Sequence, residues 1–259
     1  SIASGPVGAG GIINTVTKTP TATSFAGVKL RADQFGSAGA DFDVNVGEID
    51  NSDAVLLRVS GAYRDFEFDA DHVGRTTAAI RPVAIFNLSS STSIKTSVAY
   101  RKNESNPNSG MPLTIKGEIL PGVDTSTFTG YVDGNSDIED VLYNAEINHD
   151  FLDDLKLTVR GSKQSTDNEY KHTGGSYGYT ANGSKGIDSN AEDNIVYVYD
   201  GKAQNKMNAT FVDAQLAYQA TFWGQNQNFV VGVANAENDW TREFSQKNNW
   251  ENIPQEQIF

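Results

Sequence analysis

Residues 40–46 read Ala-Asp-Phe-Asp-Val-Asn-Val, with an apolar side chain at every second position. Asp41, Asp43 and Asn45 occupy the positions between them. Because successive side chains of a β-strand point to opposite faces, this alternation predicts a strand with one apolar and one polar face. The i, i+3, i+4 spacing of an amphipathic helix is hard to find anywhere in the chain, so we expect an all-β protein.

The same alternation predicts about nine strands after residue 24. They are expected at 24–34, 39–49, 54–66, 76–88, 93–102, 138–149, 155–164, 206–222 and 228–238. Each runs about ten residues or more, against a mean near 5 to 6 in globular proteins. Pro82 falls within the fourth pattern and weakens it, since proline removes one donor from a sheet ladder.

The connections between these strands are of two kinds. Tight turns are expected at 50–53, 89–92, 150–154 and 224–227. At the other end of the same hairpins, about 35 residues lie at 103–137 and about 40 at 165–205, which argues against an ordinary compact domain. Outer-membrane barrels have this asymmetry, with tight periplasmic turns and long extracellular loops. We therefore expect an antiparallel transmembrane β-barrel, with a soluble lipocalin-like or sandwich fold as the alternative.

The basic side chains fit a barrel whose apolar face meets lipid. Arg58, Lys95, Lys156 and Arg160 all fall on the non-apolar phase of their strands. A Lys or Arg facing the bilayer midplane would cost roughly 2 to 4 kcal/mol, so the polar phase is expected to face the lumen. Aromatic residues gather near strand ends, where interface girdles belong.

The composition removes several classes of function. The 259-residue chain has no cysteine, 20 basic and 33 acidic side chains, and a formal charge of -13. Disulfides, thiolate metal sites and thiol catalysis are therefore excluded. Nucleic acid is not an expected partner, because phosphate binding rests on clustered Lys and Arg.

The first twenty residues do not follow the strand pattern. Residues 10–20 read Gly-Gly-Ile-Ile-Asn-Thr-Val-Thr-Lys-Thr-Pro, a glycine-rich turn, a short strand and a proline stop. No Gly-Lys-Ser/Thr follows the glycines, which argues against a phosphate-binding loop. The stretch resembles the end of the plug domain of TonB-dependent outer-membrane receptors, just before the barrel begins. The resemblance implies a 22-stranded barrel with a plugged lumen, of which the chain holds the plug end at 1–22 and the first strands at 23–259.

Within that family the chain looks most like receptors for ferric siderophores, especially ferrichrome-type hydroxamate receptors. Ser-Tyr-Gly-Tyr at 176–179, Asp-Ala-Gln-Leu at 213–216 and Val-Gly-Val at 231–233 carry this resemblance. It implies that Tyr177 and Tyr179 line the siderophore pocket. The alternative is that this Gly-Ser-Tyr loop only folds over the barrel mouth.

Other aromatic residues are candidates for the same site. Tyr197 and Tyr199 lie in the same predicted loop, Tyr131 lies in the preceding long loop, and Trp240 follows the ninth predicted strand. Aromatic loop residues with a polar tip suit a bulky, oxygen-rich chelate that is bound without covalent chemistry.

Neither a metal site nor a catalytic site is expected. Four carboxylates alternate at Asp65, Glu67, Asp69 and Asp71, a pattern open to calcium but more typical of a solvated face. The three histidines lack zinc-ligand spacing, and no nucleophile, base and orienting acid can be assembled. We expect no enzyme activity and no resident cofactor.

The resemblance implies a receptor in the outer membrane of a Gram-negative bacterium that takes up ferric siderophores. Its expected partners are the ferric siderophore, the TonB complex through a segment that this chain lacks, and outer-membrane lipid with lipopolysaccharide. Cobalamin, haem or a glycan are alternative cargoes, and a passive porin-like barrel or a soluble all-β binding module are alternative functions. Nine strands cannot close in lipid, so the chain is expected to be part of a longer receptor.

Overall fold

The structure is a computed structural model that describes residues 17–49, 52–106, 124–128, 134–177, 195–247 and 253–254. For residues 172–177, 195–200 and from 246 onward it describes the backbone only. No helix in these ranges has the length and apolar character that crossing a membrane requires.

The described chain forms one antiparallel sheet. Its strands are β1 (Phe25–Ala32), β2 (Ala38–Val46), β3 (Val55–Glu67), β4 (Gly74–Ser89), β5 (Thr92–Ser105), β6 (Asn135–Leu152), β7 (Leu155–Tyr177), β8 (Ile195–Phe222), β9 (Gln225–Lys247) and the short β10 (Ile253–Pro254). Each strand from β1 to β9 pairs with its neighbour in sequence, and β10 pairs with β8. The prediction of an all-β, antiparallel fold is confirmed.

The predicted boundaries agree with β1 to β6 to within about three residues. They were wrong for the end of β7, the start of β8 and the end of β9. β7 continues to Tyr177 and β8 already begins at Ile195, so much of the predicted connection at 165–205 is strand. β9 likewise continues to Lys247. The apolar and polar alternation fades beyond Gly161, where both faces carry polar side chains, although the hydrogen-bonded ladder continues.

Direct register partners share a face, which divides the sheet into two surfaces. We call inner the face that carries Lys95, Glu146, Arg160 and Asp213, which are partners across β5, β6, β7 and β8. The outer face carries most of the exposed large apolar side chains, such as Val28, Leu30, Tyr143, Val231 and Val233. The observed pairing thus confirms the two-faced strands expected from the sequence.

Burial separates the two faces as well. The buried side chains within strands, Asn45, Leu56, Val83, Ala203 and Asp213, all belong to the inner face. Side chains on the concave side of a curved sheet converge, whereas those on the convex side spread apart. A single sheet of this kind has no conventional two-layer core.

Pro82 lies within β4, opposite Val59 of β3. On the other side of β4 the register with β5 runs from Ile80 and Tyr100 directly to Val83 and Ser97, without Pro82. The ladder resumes without a shift, so the strand tolerates the missing proline N–H as a local gap.

The outer face changes from apolar to charged partway along each of the long strands β5, β6, β7 and β9. On β7, Leu155, Leu157 and Val159 are followed on that face by Lys163 and Asp167. On β5 the change follows Tyr100, on β6 it follows Val141, and on β9 it follows Val233. We call the outer-face residues on the tight-turn side of these changes, which end at Tyr100, Val141, Gly161 and Val233, the apolar band.

Candidate functional site

The structure separates the six aromatic residues predicted to bind a ligand. Tyr131 and Tyr179 lie outside the described residues. Tyr177 ends β7, whereas Tyr197 and Tyr199 belong to β8, so these three lie in strands rather than in a loop. Tyr197 is the register partner of Ser176, and Tyr177 is the partner of Val196, which places the two tyrosines in opposite phases of the ladder.

Trp240 is the predicted residue that the structure describes fully. It lies in β9 as the register partner of Met207, on the inner face and beyond the level of the apolar band. Its side chain is 62% exposed, and the other described side chains of β9 up to Ser245 are exposed as well, because the far edge of β9 pairs with no described strand.

Trp240 belongs to a cluster of inner-face residues that we call the upper patch. The upper patch consists of Tyr170, Met207, Trp240, Arg242 and Phe244. Tyr170 and Phe244 both flank Ala203, and Met207 flanks Trp240 two inner-face rows away, with Arg242 in the row between. Phe244 is 55% exposed, so two aromatic rings of β9 are open on the same face.

Arg242 stands between these two rings along β9. Its guanidinium carbon lies 5.6 Å from the centroid of the Phe244 ring, which is within cation–π range. Within the ranges that the structure describes, Arg242 has no carboxylate partner. Among the described residues, the contact of its guanidinium is with the Phe244 ring.

The strands sort their charges between the two faces around this patch. We call residues 162–171, 201–211 and 234–245 the rim, which is the part of β7, β8 and β9 beyond the apolar band. Every carboxylate of the rim lies on its outer face, at Asp167, Glu169, Glu237, Asp239 and Glu243. The four rim lysines lie there too, and Arg242 is the one ionic side chain of the rim's inner face.

The sequence carried a signal for the upper patch that the strand prediction did not use. Over 236–244 the acidic residues Glu237, Asp239 and Glu243 alternate with Ala236, Trp240 and Phe244, among others. That period of two predicts a strand with an acidic face and an aromatic face. Arg242 and Phe244 would have been found by extending the ninth predicted strand through it.

Beside the upper patch, the inner face carries a hydrogen-bonded row on β5, β6 and β7. Arg101 forms an ion pair with Asp140, and the Thr166 hydroxyl donates to the same carboxylate at 2.7 Å. The register continues this row through Met207 to Trp240. The upper patch thus begins where a charged row ends.

A second row of ion pairs lies lower on the inner face. Glu146 is bound by Lys95 at 3.0 Å and by Arg160 at 3.3 Å, and Arg160 also lies 3.6 Å from Asp213. Asp213 is 3% exposed, and neither of its carboxylate oxygens accepts a hydrogen bond within the described residues. The row therefore joins four strands but leaves one carboxylate poorly satisfied.

The segment that precedes β1 is fastened to the inner face of β2 and β3. The Asn45 amide donates to the carbonyls of Thr21 and Thr23 at 2.8 Å each, and its oxygen accepts the Thr21 N–H at 3.0 Å. Lys18 pairs with Asp43 at 2.7 Å. These contacts and those of Arg58 form what we call the anchor.

Arg58 ties the anchor together. Its Nε and one terminal nitrogen donate to the two carboxylate oxygens of Asp43 at 2.8 Å, and its other terminal nitrogen donates to the Thr19 carbonyl at 2.8 Å. Gly47 lets the segment approach closely, because a Cβ at this position would lie 1.8 Å from the Ala22 oxygen. The close approach of the segment therefore depends on a glycine directly after β2.

Two connections meet at the end of the sheet nearest the rim. The Thr125 hydroxyl donates to Asp69 at 3.0 Å, and the Asp71 N–H donates to the Ser126 carbonyl at 2.9 Å. The Ser126 hydroxyl and N–H both donate to Asp124, and these hydrogen bonds hold the pKa of the Asp124 carboxyl below its usual range. The described residues contain no group of three His, Asp or Glu side chains suited to a metal ion.

Comparison with known proteins found matches among solved structures. No protein-family model and no curated protein matches the sequence. The ferripyoverdine receptor of the outer membrane of Pseudomonas aeruginosa matches with a TM-score of 0.75 at 21% identity, over 91% of this chain and 30% of the receptor. The siderophore receptor PiuA from Acinetobacter baumannii matches with a TM-score of 0.72 at 16% identity, over 87% and 32%.

A third solved structure matches with a similar TM-score and a similarly low identity. The ferric-catecholate import receptor Fiu from E. coli matches with a TM-score of 0.73 at 14% identity, over 86% of this chain and 33% of the receptor. The chain spans about a third of the length of the receptors it matches. At identities this low the likeness shows the fold, so the chain is an antiparallel sheet that forms part of a β-barrel.

Proposed function

We propose that this chain is part of a TonB-dependent receptor in the outer membrane of a Gram-negative bacterium, and that the receptor imports ferric siderophores. The likeness to solved outer-membrane siderophore receptors supports the proposal more than any other single observation. The apolar band on one face and ion pairs on the other suit a wall between lipid and a polar lumen.

The anchor supports the domain organisation within this proposal. Residues 1–22 end the plug and residues 23–259 begin the barrel, so the segment 17–24 is the junction between them. Lys18 and Thr19 are held by Asp43 and Arg58 on the inner face, where a plug must enter its barrel. The TonB complex acts as the energy-supplying partner, and lipid with lipopolysaccharide surrounds the outer face.

The upper patch is the proposed capture surface for the siderophore. Trp240 takes part through its exposed ring, and Tyr131, Tyr177, Tyr179, Tyr197 and Tyr199 remain proposed ligand contacts. The protein binds and moves its cargo without covalent chemistry, so it is not an enzyme.

Growth under iron starvation tests the function. The full-length gene is introduced into a Gram-negative host that lacks its own siderophore receptors, and growth is followed with a panel of ferric siderophores. We expect rescue by at least one of them and none when the TonB complex is deleted. If no siderophore rescues growth while cobalamin, haem or a glycan is taken up normally, the siderophore proposal fails. The proposal of a TonB-dependent transporter then stands with that other cargo.

Cell fractionation tests the location independently. We expect the full-length protein in the outer-membrane fraction, with slower electrophoretic migration after boiling. Recovery of a monomeric, cooperatively unfolding protein from the soluble fraction would contradict the barrel proposal and favour a soluble all-β binding module.

A further inference from the structure

We propose that the chain ahead of Thr17 continues across the inner face along one register row of the sheet, and that Arg81 holds it there through the Thr15 carbonyl. The occupant of this surface is therefore the chain's own residues 13–16. The inference rests on the proposed function, because it takes the inner face as the wall that a plug segment meets. The juxtaposition that carries it is a segment fastened to the wall up to Thr17, beside a buried arginine nitrogen without an acceptor.

The direction of the described segment is the first step of the argument. The Asn45 side chain of β2 bonds both the N–H and the carbonyl of Thr21. Arg58 of β3, which is the register partner of Asn45, donates to the Thr19 carbonyl. Two residues of the segment thus advance by one strand. The segment therefore crosses the strands along a register row.

That register row continues over the following strands. Beyond Arg58 it consists of Val83, Ser97, Asn144, Ser162 and Phe211. Thr17 lines a cavity together with the last four of these residues. Neighbouring strands lie about 4.8 Å apart and two extended residues span about 6.6 Å, so an oblique crossing at two residues per strand is sterically reasonable. At this rate Thr15 lies over Ser97 and Ile13 lies over Asn144.

Arg81 supplies the second step. Its side chain on the inner face of β4 is half-buried, and its Nε is buried without an acceptor among the described residues. Arg81 lines two cavities, one with Lys18 and one with Thr17, so it lies beside the course of the segment. A buried donor without an acceptor is costly, and the acceptor is therefore expected from the chain just ahead of Thr17. Residues 13–16 carry no carboxylate, so they offer neutral oxygens.

The described contacts indicate which oxygen this is. The carbonyls that accept from the wall belong to alternate residues, Thr19, Thr21 and Thr23. An extended segment that presents one edge to the wall has this alternation, because successive carbonyls point in opposite directions. Thr17 and Thr15 follow in the same phase. The Thr15 carbonyl is thus the acceptor assigned to Arg81, in the way that the Thr19 carbonyl accepts from Arg58.

Cysteine cross-linking in the full-length receptor tests the path. The chain has no cysteine of its own, and any cysteine elsewhere in the receptor is replaced by serine. Thr15→Cys is combined with Ser97→Cys, and Ile13→Cys with Asn144→Cys. Outer-membrane vesicles that contain each pair are treated with a short bis-maleimide, and the product is measured by its changed migration on a denaturing gel. We expect at least about tenfold more product than in the matched controls.

The matched controls place the second cysteine on the outer face. Thr15→Cys is combined with Thr96→Cys, and Ile13→Cys with Tyr143→Cys. Thr96 and Tyr143 are the sequence neighbours of the inner-face positions, on the opposite side of the same strands. Equal cross-linking of the inner and outer pairs, or cross-linking of neither, overturns the proposed path.

Hydrogen exchange tests the role of Arg81. Arg81→Met keeps the aliphatic stem and removes the donors, so we expect amide exchange at 13–17 to become about tenfold faster. Arg75→Met is the matched control on the same face of β4, because the Arg75 guanidinium lies 4.8 Å from the centroid of the Phe66 ring. This control should exchange as the parent does at 13–17. Unchanged exchange in Arg81→Met overturns the assignment of Arg81.

The outcomes separate this inference from the proposed function. The growth experiment uses the unmodified receptor, so its failure rejects siderophore uptake without reference to this row. Absent cross-links together with rescued growth reject the path and leave the transport function intact. Equal amounts of each variant in the outer membrane, with the same change of migration after boiling, confirm that the comparison concerns folded protein.

Discussion

Two carboxylates of the lower inner-face row differ sharply at the level of single residues. Glu146 accepts hydrogen bonds from Lys95 and the Asn148 amide and forms an ion pair with Arg160, so its charge has three partners. Asp213 is more deeply buried but meets Arg160 at 3.6 Å and accepts no hydrogen bond within the described residues. The free energy that a buried charge contributes depends on its partners more than on its burial.

Conservative amide substitutions should expose this difference. We expect Glu146→Gln to lower the free energy of unfolding by about 1 to 3 kcal/mol, since it weakens two ion pairs at once. Asp213→Asn should change it by less than about 1 kcal/mol, because little is lost with a poorly satisfied carboxylate. Denaturant unfolding of the full-length receptor in detergent measures both, and a larger loss for Asp213→Asn would contradict the argument.

A single glycine controls how closely the anchor fits. Gly47→Ala would place a Cβ 1.8 Å from the Ala22 oxygen, a distance that forces the backbone apart. We expect a loss of about 1 to 3 kcal/mol, as for other overpacked positions, together with faster proteolysis at 17–24. Gly161→Ala is the matched control, since a Cβ there meets nothing within 4 Å. Equal stability of the two variants would show that the segment yields freely.

At the scale of elements, the sequence predicts the lower part of every long strand and misses the upper part of three. The alternation at 40–46 and at 155–160 predicts a strand because one of the two faces is apolar. Beyond Gly161 in β7 the outer face becomes charged while the inner face holds Gln164, Thr166 and Asn168, so hydrophobic period no longer separates the faces. Backbone pairing continues there regardless of side-chain hydropathy.

The same loss of signal explains what could be predicted of the candidate site. Trp240 was identifiable as an aromatic residue that follows the ninth predicted strand, yet Met207 and Tyr170 of the upper patch lie about 33 and 70 residues away in sequence. Only the register brings them together. The anchor was likewise hidden, since nothing in the sequence around Asn45 shows that its amide reaches Thr21 and Thr23.

The turn around Asp124 should respond to acid. A carboxyl whose pKa is lowered by folding stabilises the turn above its unfolded value, about 3.9, and this stabilisation is lost as the pH falls through the folded pKa. Hydrogen exchange at 124–128, corrected for intrinsic rates, should therefore show protection at about pH 5 that declines as the pH falls below the unfolded value of about 3.9. Asp124→Asn cannot titrate, so a matching acid transition in that variant would contradict the assignment.

At the scale of the whole molecule, the sheet is built for two surroundings rather than for a core. Its outer face is apolar from Leu155 to Gly161 on β7 and carries charges from Lys163 onward, and β5, β6 and β9 show a similar change along their length. The inner face of β7 is polar over the same length, from Lys156 to Tyr170. The surroundings of a side chain in this sheet are thus set by its face and by its position along the strand, and not by burial in a core.

Two arginine substitutions on one face of β7 should locate the edge of the apolar band. Val159→Arg places the charge within the band and is expected to cost about 2 to 4 kcal/mol in a lipid bilayer. Ser165→Arg lies above it on the same face and should cost about 0 to 1 kcal/mol. Unfolding of the full-length protein refolded in lipid vesicles measures both, and equal costs would mean that the band does not mark the bilayer.

The order of the strands has a kinetic consequence. In the described residues each strand from β1 to β9 pairs with the strand made just before it, with no crossover. Loop closure is then local for every hairpin, and the entropic barrier to adding a strand stays small as the sheet widens. Each newly paired strand also presents a free row of N–H and C=O groups to the next one. The sheet can therefore assemble in the order of synthesis, with each edge serving as the template for its successor.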